Sequence, residues 1–109
     1  MGVRPSVRSG GLGRVLNIDL TQRQAGEEPL NMDWARRFIG GTGSGEQYLY
    51  DRVKPGTDPL GPNNVFMIWT SPLVGTFAPS SGKYCVVTKG PQTGLYLDSH
   101  AGGVLGVEL

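Results

Sequence analysis

The stretch that decides the fold runs from residue 71 to residue 94 and reads SPLVGTFAPSSGKYCVVTKGPQTG. Its centre, residues 84–89, is rich in β-branched and aromatic side chains, which favour a β-strand. Glycine and proline flank this run on both sides, so the sequence predicts a turn, a strand and a second turn. A second glycine-rich motif, SHAGG at residues 99–103, follows a short apolar segment.

The composition limits both the size and the partners of the protein. A chain of 109 residues forms one small domain at most. Its 18 glycines and 8 prolines are well above average, but its apolar stretches argue against disorder. A net charge of +1 creates no field that would gather nucleic acid or an anionic membrane. The longest apolar run, residues 65–69, is far too short to span a membrane. We therefore expect a soluble, cytoplasmic protein.

The chain contains one cysteine, Cys85, and one histidine, His100. These two residues cannot form an internal disulfide or a four-ligand zinc or iron–sulfur site, so any such metal needs ligands from elsewhere. Cys85 lies in the middle of the predicted strand with no base nearby in the sequence to activate it. We interpret it as a core residue.

The predicted fold class is α+β and β-rich, with antiparallel sheets and two short helices. Residues 13–20 alternate so that Leu16, Ile18 and Leu20 share one buried face, which is typical of a half-buried strand. The polar segment 21–28 is predicted to turn and to return as a weak partner strand. Further strands are predicted at residues 65–70, 84–89 and 95–98.

Asn31 or Asp33 is predicted to cap a first helix that continues through Phe38, with Trp34, Phe38 and Ile39 on its buried side. The glycines that follow are predicted to end this helix.

A second helix is predicted to begin at Ser44, because Gln47 stands three residues later and completes a capping box. This helix would bury Leu49 and Val53, and the prolines and glycines of residues 55–62 would form a rigid connector after it. Four aromatic residues fall in helix and strand patterns and are assigned to the core: Trp34, Tyr48, Tyr50 and Trp69.

Residues 40–45 read GGTGSG, and the outer glycines have the spacing of a phosphate-binding P-loop. However, Glu46 and Gln47 follow where that motif needs a lysine, and a predicted helix precedes it instead of a strand. The dinucleotide pattern G-x-G-x-x-G also fails at Glu46. The sequence therefore favours a tight turn between the two helices, with positive φ angles, over a nucleotide site.

Together and in this order, the motifs resemble the amino-terminal part of the aldehyde:ferredoxin oxidoreductase family, tungsten enzymes that hold their metal between two pterin dithiolenes. The resemblance begins at residues 13–21, continues through 38–41 and 58–64, and is densest from 71 to 109. We accordingly expect residues 1–12 to be a disordered leader. Residues 13–109 are expected to form an incomplete amino-terminal domain that binds the pterin cofactor.

The resemblance also implies which residues meet the cofactor. Lys83 stands where the family usually has an arginine that touches the pterin and lies towards a 4Fe–4S cluster; lysine keeps the charge but loses the planar fork. His100 stands where the family usually has asparagine, and its backbone carbonyl is available to a phosphate-bound magnesium. The cofactor-binding residues implied in this way are Lys83, Ser99, His100, Ala101, Gly102 and Gly103. Without the resemblance, Lys83 would be interpreted as a strand-end lysine that faces solvent, His100 as a surface loop residue, and Gly102 and Gly103 as a turn.

The implied function is that of an amino-terminal piece of an enzyme that oxidises small aldehydes to carboxylic acids and passes electrons through a 4Fe–4S cluster to ferredoxin. The implied cofactors are a tungsten or molybdenum bispterin with magnesium, and a cluster ligated by residues outside this chain. The remaining domains of the enzyme and ferredoxin are the expected partners. No catalytic residue is expected here, and the isolated chain should be inactive. The alternative is a stand-alone, non-catalytic β module that binds a pterin-like anion or a partner protein.

Overall fold

The computed structural model describes residues 13–109, so the predicted leader lies outside the described residues. The elements, in chain order, are β1 (Arg14–Asp19), β2 (Gln24–Pro29), α1 (Met32–Phe38), α2 (Gly41–Arg52), β3 (Met67–Trp69), β4 (Tyr84–Lys89), β5 (Tyr96–Ala101) and α3 (Leu105–Glu108). The predicted α+β class with antiparallel sheets is confirmed. A four-residue helix, α3, is an addition that the sequence did not predict.

The described strands form two antiparallel sheets. Strands β1 and β2 pair as a hairpin, and the other sheet has the order β3-β4-β5. The central strand, β4, has the predicted bounds, and its residues Cys85 and Val87 are buried. Helix α2 packs across β3 and β4 on the face that carries these two side chains. The sheet and this helix therefore enclose the core.

The contact between α2 and the sheet depends on a missing side chain at Gly45. A Cβ atom there would lie 2.7 Å from Cγ2 of Val87 and 2.9 Å from Cδ1 of Trp69, closer than real Cβ atoms approach other atoms. Because the helix backbone comes this close, Leu49 one turn later is also buried, as predicted, and Val53 packs at the margin of the core.

The core of the described part of the chain is small. Its buried hydrophobic residues are Tyr48, Leu49, Cys85 and Val87. Many other large apolar side chains in residues 13–109 remain exposed to solvent. A domain of this size normally buries much more of its apolar surface, so this fold does not enclose a complete core by itself.

A chain of three aromatic rings joins the two longer helices to the sheet. The rings of Trp34 and Tyr48 meet edge to face with their centroids 5.1 Å apart, and the centroid of Trp69 lies 4.8 Å from that of Tyr48. These contacts agree with the interior role predicted for the three residues. The assignment of Tyr50 to the core was wrong: it is 85% exposed, because it lies on the outer face of α2.

Helix α1 begins and ends as the sequence predicted. The side chain of Asn31 accepts hydrogen bonds from the backbone N–H groups of Asp33 and Trp34, so Asn31 is the N-cap. The last helical residue is Phe38. The prediction that Ile39 is buried was wrong, because this residue terminates the helix with a φ of 69° and its side chain points to solvent.

Helix α2 begins at Gly41 and not at Ser44, so the predicted capping box was wrong. Gly40 is the N-cap without any side-chain cap, and the backbone N–H of Gly41 donates to the carbonyl of Thr70 at 2.9 Å. Docking on the end of β3 thus replaces a side-chain cap. Only Gly40 and Gly41 adopt the positive φ expected of a turn between helices; the rest of the glycine cluster is helical, and Ser44 is buried inside α2.

The hairpin presents the opposite face to the one predicted. Leu16, Ile18 and Leu20 are exposed, while the alternate residues Val15 and Asn17 are half-buried. The partner strand predicted for residues 21–28 is present as β2. The error arises because alternation specifies that one face is apolar without specifying what covers that face.

Arg52, at the end of α2, fixes the hairpin through its polar face. Its guanidinium donates to Oδ1 of Asn17 in β1 at 3.1 Å and forms an ion pair with Glu28 in β2. The same group lies 5.0 Å from the ring centroid of Tyr48. One side chain therefore links both strands of the hairpin to the helix, and this explains why the polar face is turned inward.

The last strand extends further than predicted. The sequence indicated residues 95–98, whereas β5 continues to Ala101 and includes Ser99 and His100. Backbone pairing with β4 supports this extension, with His100 opposite Cys85 and Ala101 opposite Tyr84. Strand β3, in contrast, is limited to three residues of the predicted range 65–70.

Replacing Gly45 with alanine should destabilise the chain, because the new methyl group would overlap Val87 and Trp69. Overpacking of this kind costs about 1–3 kcal/mol. The midpoint of thermal unfolding, followed by circular dichroism, should fall by roughly 4–8 °C for each kcal/mol. Gly26→Ala is the matched control, since a Cβ there meets nothing within 4 Å. Equal midpoints for the two variants would contradict the close contact.

The Glu28–Arg52 pair should make hairpin docking sensitive to acid. The hydrogen bond from Arg52 is the largest cause that holds the pKa of Glu28 below its ordinary value of 4.5. A lowered pKa in the folded state means that its stabilisation is complete above pH 4.5 and is lost as the pH falls through the folded value.

Because the pair is partly exposed, we expect it to contribute under about 1 kcal/mol at low salt. The midpoint of thermal unfolding of the wild type should exceed that of Glu28→Gln at neutral pH. The difference between the two midpoints should disappear as the pH is lowered. A constant difference across the range would show that the ion pair does not stabilise the fold.

Candidate cofactor-binding site

A hollow of about 210 Å³ opens where the start of α2 meets the ends of β3 and β4. Three segments line it, residues 40–42, 69–71 and 83–85, together with His100 from β5. The hydrogen bond from Gly41 to Thr70 holds the first two segments side by side. The hollow is therefore a direct product of the way in which α2 docks on the sheet.

Strand pairing brings Lys83 and His100 to the same hollow. His100 lies directly opposite Cys85 in the antiparallel ladder, so both side chains point to the same face of the sheet. Lys83 stands two residues before Cys85 and lines the same hollow. This face is the one that α2 covers, since a Cβ on Gly41 would lie 3.9 Å from Sγ of Cys85.

The other four predicted site residues do not line the hollow. Ser99 and Ala101 pair with Val86 and Tyr84, so their side chains alternate onto the opposite face of the sheet. Gly102 and Gly103 follow the end of β5, where a Cβ on either would meet nothing within 4 Å.

The backbone at Gly103 nevertheless comes back beside the Lys83 segment. Its carbonyl oxygen lies 2.8 Å from the position that a Cβ on Gly82 would occupy, and Gly103 has a φ of 104° that favours glycine. The two predicted segments thus meet at one corner of the sheet, with Lys83 and His100 on one face and the glycine bend at its edge.

The charges around the hollow are few. Lys83 is exposed and forms no ion pair with any residue that the structure describes. Nδ1 of His100 lies 3.7 Å from Oδ2 of Asp98, which stands two positions earlier in β5. The rim therefore offers one ammonium group and one imidazole with a neighbouring carboxylate.

Cys85 forms the floor of the hollow and is only 2% exposed. Its thiol contacts the carbonyl of Trp69 at 3.7 Å. Burial is the main cause that raises the pKa of this thiol, and the negative charge of Asp98 adds to the effect. The prediction that Cys85 is a core residue is confirmed, and a thiol with a raised pKa is a poor nucleophile.

The indole N–H of Trp69 is buried and finds no hydrogen-bond acceptor among residues 13–109. Trp69 also borders the hollow. A buried donor without an acceptor costs free energy, so natural proteins rarely leave one. An acceptor for this N–H group therefore comes from outside residues 13–109, whether from water, ligand or further polypeptide.

The residues present suit one wall of a site for an anionic, phosphorylated cofactor such as a metal-bound pterin. Lys83 supplies a positive charge that has no ion-pair partner among the described residues. Gly102 and Gly103 leave open backbone, since a Cβ on either would meet nothing within 4 Å. The volume of about 210 Å³ is below the range of about 300–1,000 Å³ that is typical of a complete ligand pocket. The described residues therefore fit part of such a site and not the whole.

A second hollow, of about 390 Å³, lies between α1 and α2. It is lined by Phe38, Gly43, Glu46, Gln47 and Tyr50. Glu46 is the one charged residue of this lining, and its negative charge makes the hollow unsuited to an anionic ligand. Among the described residues no group of three histidine, cysteine or acidic side chains is arranged to hold a metal. Residues 13–109 include no helix long and apolar enough to cross a membrane.

Sequence reasoning missed several residues that line the hollow, namely Gly40, Gly41, Thr70, Ser71 and Cys85. The paired glycines at 40–41 belong to the motifs that carry the family resemblance and are predicted to form a turn, but their pattern does not show that they line a hollow. Gly40 and Gly41 lie near Lys83 only because distant segments of the chain pack together in the fold. A short sequence motif cannot predict such a contact.

Comparison with known proteins identifies the family. The family model "Aldehyde ferredoxin oxidoreductase, N-terminal domain" matches residues 15–109. This match covers most of the chain, and it agrees with the order of the motifs and with the α+β fold. The chain belongs to the aldehyde ferredoxin oxidoreductase family and corresponds to its amino-terminal domain.

Curated relatives support this assignment. The chain is 38% identical over 97 residues to a tungsten-containing aldehyde ferredoxin oxidoreductase of Pyrococcus abyssi, which covers 89% of this chain. It is 39% identical over 100 residues to the enzyme of the same name from Thermococcus kodakarensis, which covers 92% of this chain. In both cases the chain spans only 16% of the relative's length.

A solved structure shares the fold. The active-site complex BamBC of benzoyl coenzyme A reductase, with bound 1,5-dienoyl-CoA, superimposes with a TM-score of 0.76 and 32% sequence identity. The match covers 81% of this chain and 14% of that one.

The thiol of Cys85 should react slowly in the native protein, because it is buried and its pKa is raised. With Ellman's reagent at mildly alkaline pH, we expect little reaction until guanidinium chloride unfolds the chain and then complete reaction of this one thiol. Rapid, stoichiometric labelling without denaturant would show instead that solvent reaches Cys85 through the hollow.

Proposed function

We propose that this chain supplies one wall of the bispterin site in a tungsten- or molybdenum-dependent oxidoreductase. The observation that carries the proposal is that Lys83 and His100, which are far from each other in sequence, line one hollow beside the start of α2. Trp69 also borders this hollow, and its buried indole N–H finds no acceptor among residues 13–109, which supports an incomplete site.

In this proposal each residue has a limited task. The ammonium group of Lys83 neutralises negative charge on the pterin side of the cofactor. The bend at Gly102 and Gly103 admits the phosphates to close contact with the backbone, and the backbone carbonyl of His100 is available to a magnesium ion bound to them. The covered floor of the hollow, formed by Cys85, keeps water away from one side of the cofactor.

The bound cofactor would supply a two-electron centre at which an aldehyde is oxidised to a carboxylic acid. Water provides the added oxygen atom, and two protons are released. The two electrons would leave through a 4Fe–4S cluster to ferredoxin. The residues that ligate the cluster and that contact the substrate lie outside this chain, so this chain binds and orients and performs no proton transfer of its own.

The proposal that the substrate is an aldehyde rests on the names of the two relatives, which are both called tungsten-containing aldehyde ferredoxin oxidoreductase. The structural relative is named as a benzoyl coenzyme A reductase, so a protein with this fold takes part in a different reaction. We therefore assign the choice of substrate to the parts of the enzyme beyond the matched segment. A stand-alone β module is disfavoured because many large apolar side chains of the described residues are exposed, and a free module would keep them in water.

The experiment replaces the matched 100 residues of the Thermococcus kodakarensis enzyme with this chain and measures metal content and aldehyde turnover with ferredoxin. In this chimaera Lys83→Ala should lower turnover by about tenfold, the effect of losing one charge-assisted contact, and should lower tungsten content less. Lys83→Arg should keep both, because it keeps the charge.

Lys54→Ala is the matched control, since Lys54 is an exposed lysine outside the hollow and its removal should leave turnover unchanged. Turnover that is the same in Lys83→Ala as in the unmodified chimaera would remove Lys83 from the site. A folded chimaera without tungsten or molybdenum would contradict the proposed function as a whole.

A further inference from the structure

The outer face of the β1–β2 hairpin is apolar and uncovered in the described part of the chain. Leu16, Ile18 and Leu20 point outward and are 59%, 62% and 84% exposed. The opposite face is fastened to α2 by Arg52, which contacts both strands. The hairpin cannot hide its apolar residues by turning over without breaking these contacts.

The pattern of this face is that of a surface built for burial. Ile18 pairs with Ala25, which makes the end of the face near the turn apolar, whereas Leu16 pairs with Glu27. Glu27 also forms an ion pair with Arg14 at 2.9 Å, which places charge at the other end of the face. An apolar patch beside a charged margin is typical of a packed interface. A two-stranded sheet without such packing is only marginally stable in water.

We propose that this face is covered by polypeptide of the same oxidoreductase that lies outside the segment represented by this chain. The inference rests on the proposed function, because it requires the larger enzyme. The hairpin is then clamped between two layers, with its polar face on α2 and its apolar face on a second part of the enzyme.

The small size of the apolar face favours polypeptide of the same enzyme over a separate protein molecule. Three aliphatic side chains are far fewer than the roughly 20–30 residues that each partner of a stable complex contributes. A separate protein or a second copy would also lose translational and rotational freedom on binding, which such a small face does not offset. Polypeptide of the same enzyme is already held nearby, and the archaeal relatives have about 84% of their length outside the match.

Amide hydrogen exchange, read by mass spectrometry, tests the proposal in two proteins: the chain alone and the Thermococcus kodakarensis chimaera described above. With the amides of the central strand β4 in the same protein as the internal reference, the hairpin amides should exchange rapidly in the chain alone and at least about tenfold more slowly in the chimaera. The variant Leu16→Thr/Ile18→Thr removes the apolar face but keeps strand propensity. It should abolish the added protection in the chimaera and leave exchange in the chain alone unchanged.

The matched control is Leu16→Val/Ile18→Val, which keeps an apolar face and should keep the protection. Equal exchange of the wild-type hairpin in the two proteins would overturn the proposal. The proposal would also be overturned if the threonine variant lost the same protection in the chain alone. A dimer of the chain alone that the threonine variant dissociates would overturn it as well, because a second copy would then cover the face. A chimaera with the Pyrococcus abyssi enzyme provides a second host, and failure of both hosts to accept the chain would also count against the proposal.

Metal analysis separates this proposal from the proposed function. A chimaera that contains tungsten but has an unprotected hairpin would overturn the interface alone. A chimaera with a protected hairpin and no tungsten or molybdenum would overturn the cofactor role and leave the interface in place.

Discussion

The close approach of α2 to the sheet at Gly45 is the constraint on which the rest of the structure depends. Because no side chain stands between the helix and Val87, the helix lies flat on β3 and β4, and its first turn reaches the end of β3. That position creates the hollow beside Lys83. The same position brings Arg52, at the other end of α2, within reach of both strands of the hairpin. One glycine contact thus orients the candidate site and the hairpin together.

Local signals predicted the elements of this fold well where the physical cause is local. The β-branched run at residues 84–89 has its predicted bounds, and Asn31 caps α1 as its side-chain chemistry requires. The start of α2 was misjudged because a long-range hydrogen bond to Thr70 replaces the capping box that Ser44 and Gln47 suggested. Local preference specified that a helix exists there, whereas tertiary contact determined where it begins.

The candidate site was predictable only in part. Family resemblance singled out Lys83 and residues 99–103, but it could not show that Ser99 and Ala101 face away from the side of the sheet on which Lys83 and His100 meet. The extra length of β5 explains this division, since alternation along a strand assigns neighbouring residues to opposite faces. The contribution of Gly40 and Gly41 depends on helix docking and is not visible in their spacing.

Strand β5 has a further consequence, for the behaviour of the chain in solution. Among the described strands it pairs only with β4, so its outer edge presents free backbone donors and acceptors along six residues. Such an edge is a template for association with other chains, and charged side chains are a common safeguard. Here the charged residue of the strand is Asp98, and the polar His100 stands two positions later. A variant at His100 would therefore alter the polarity of this edge as well as the proposed ligand contact, so a change in activity is interpretable only beside a measure of solubility.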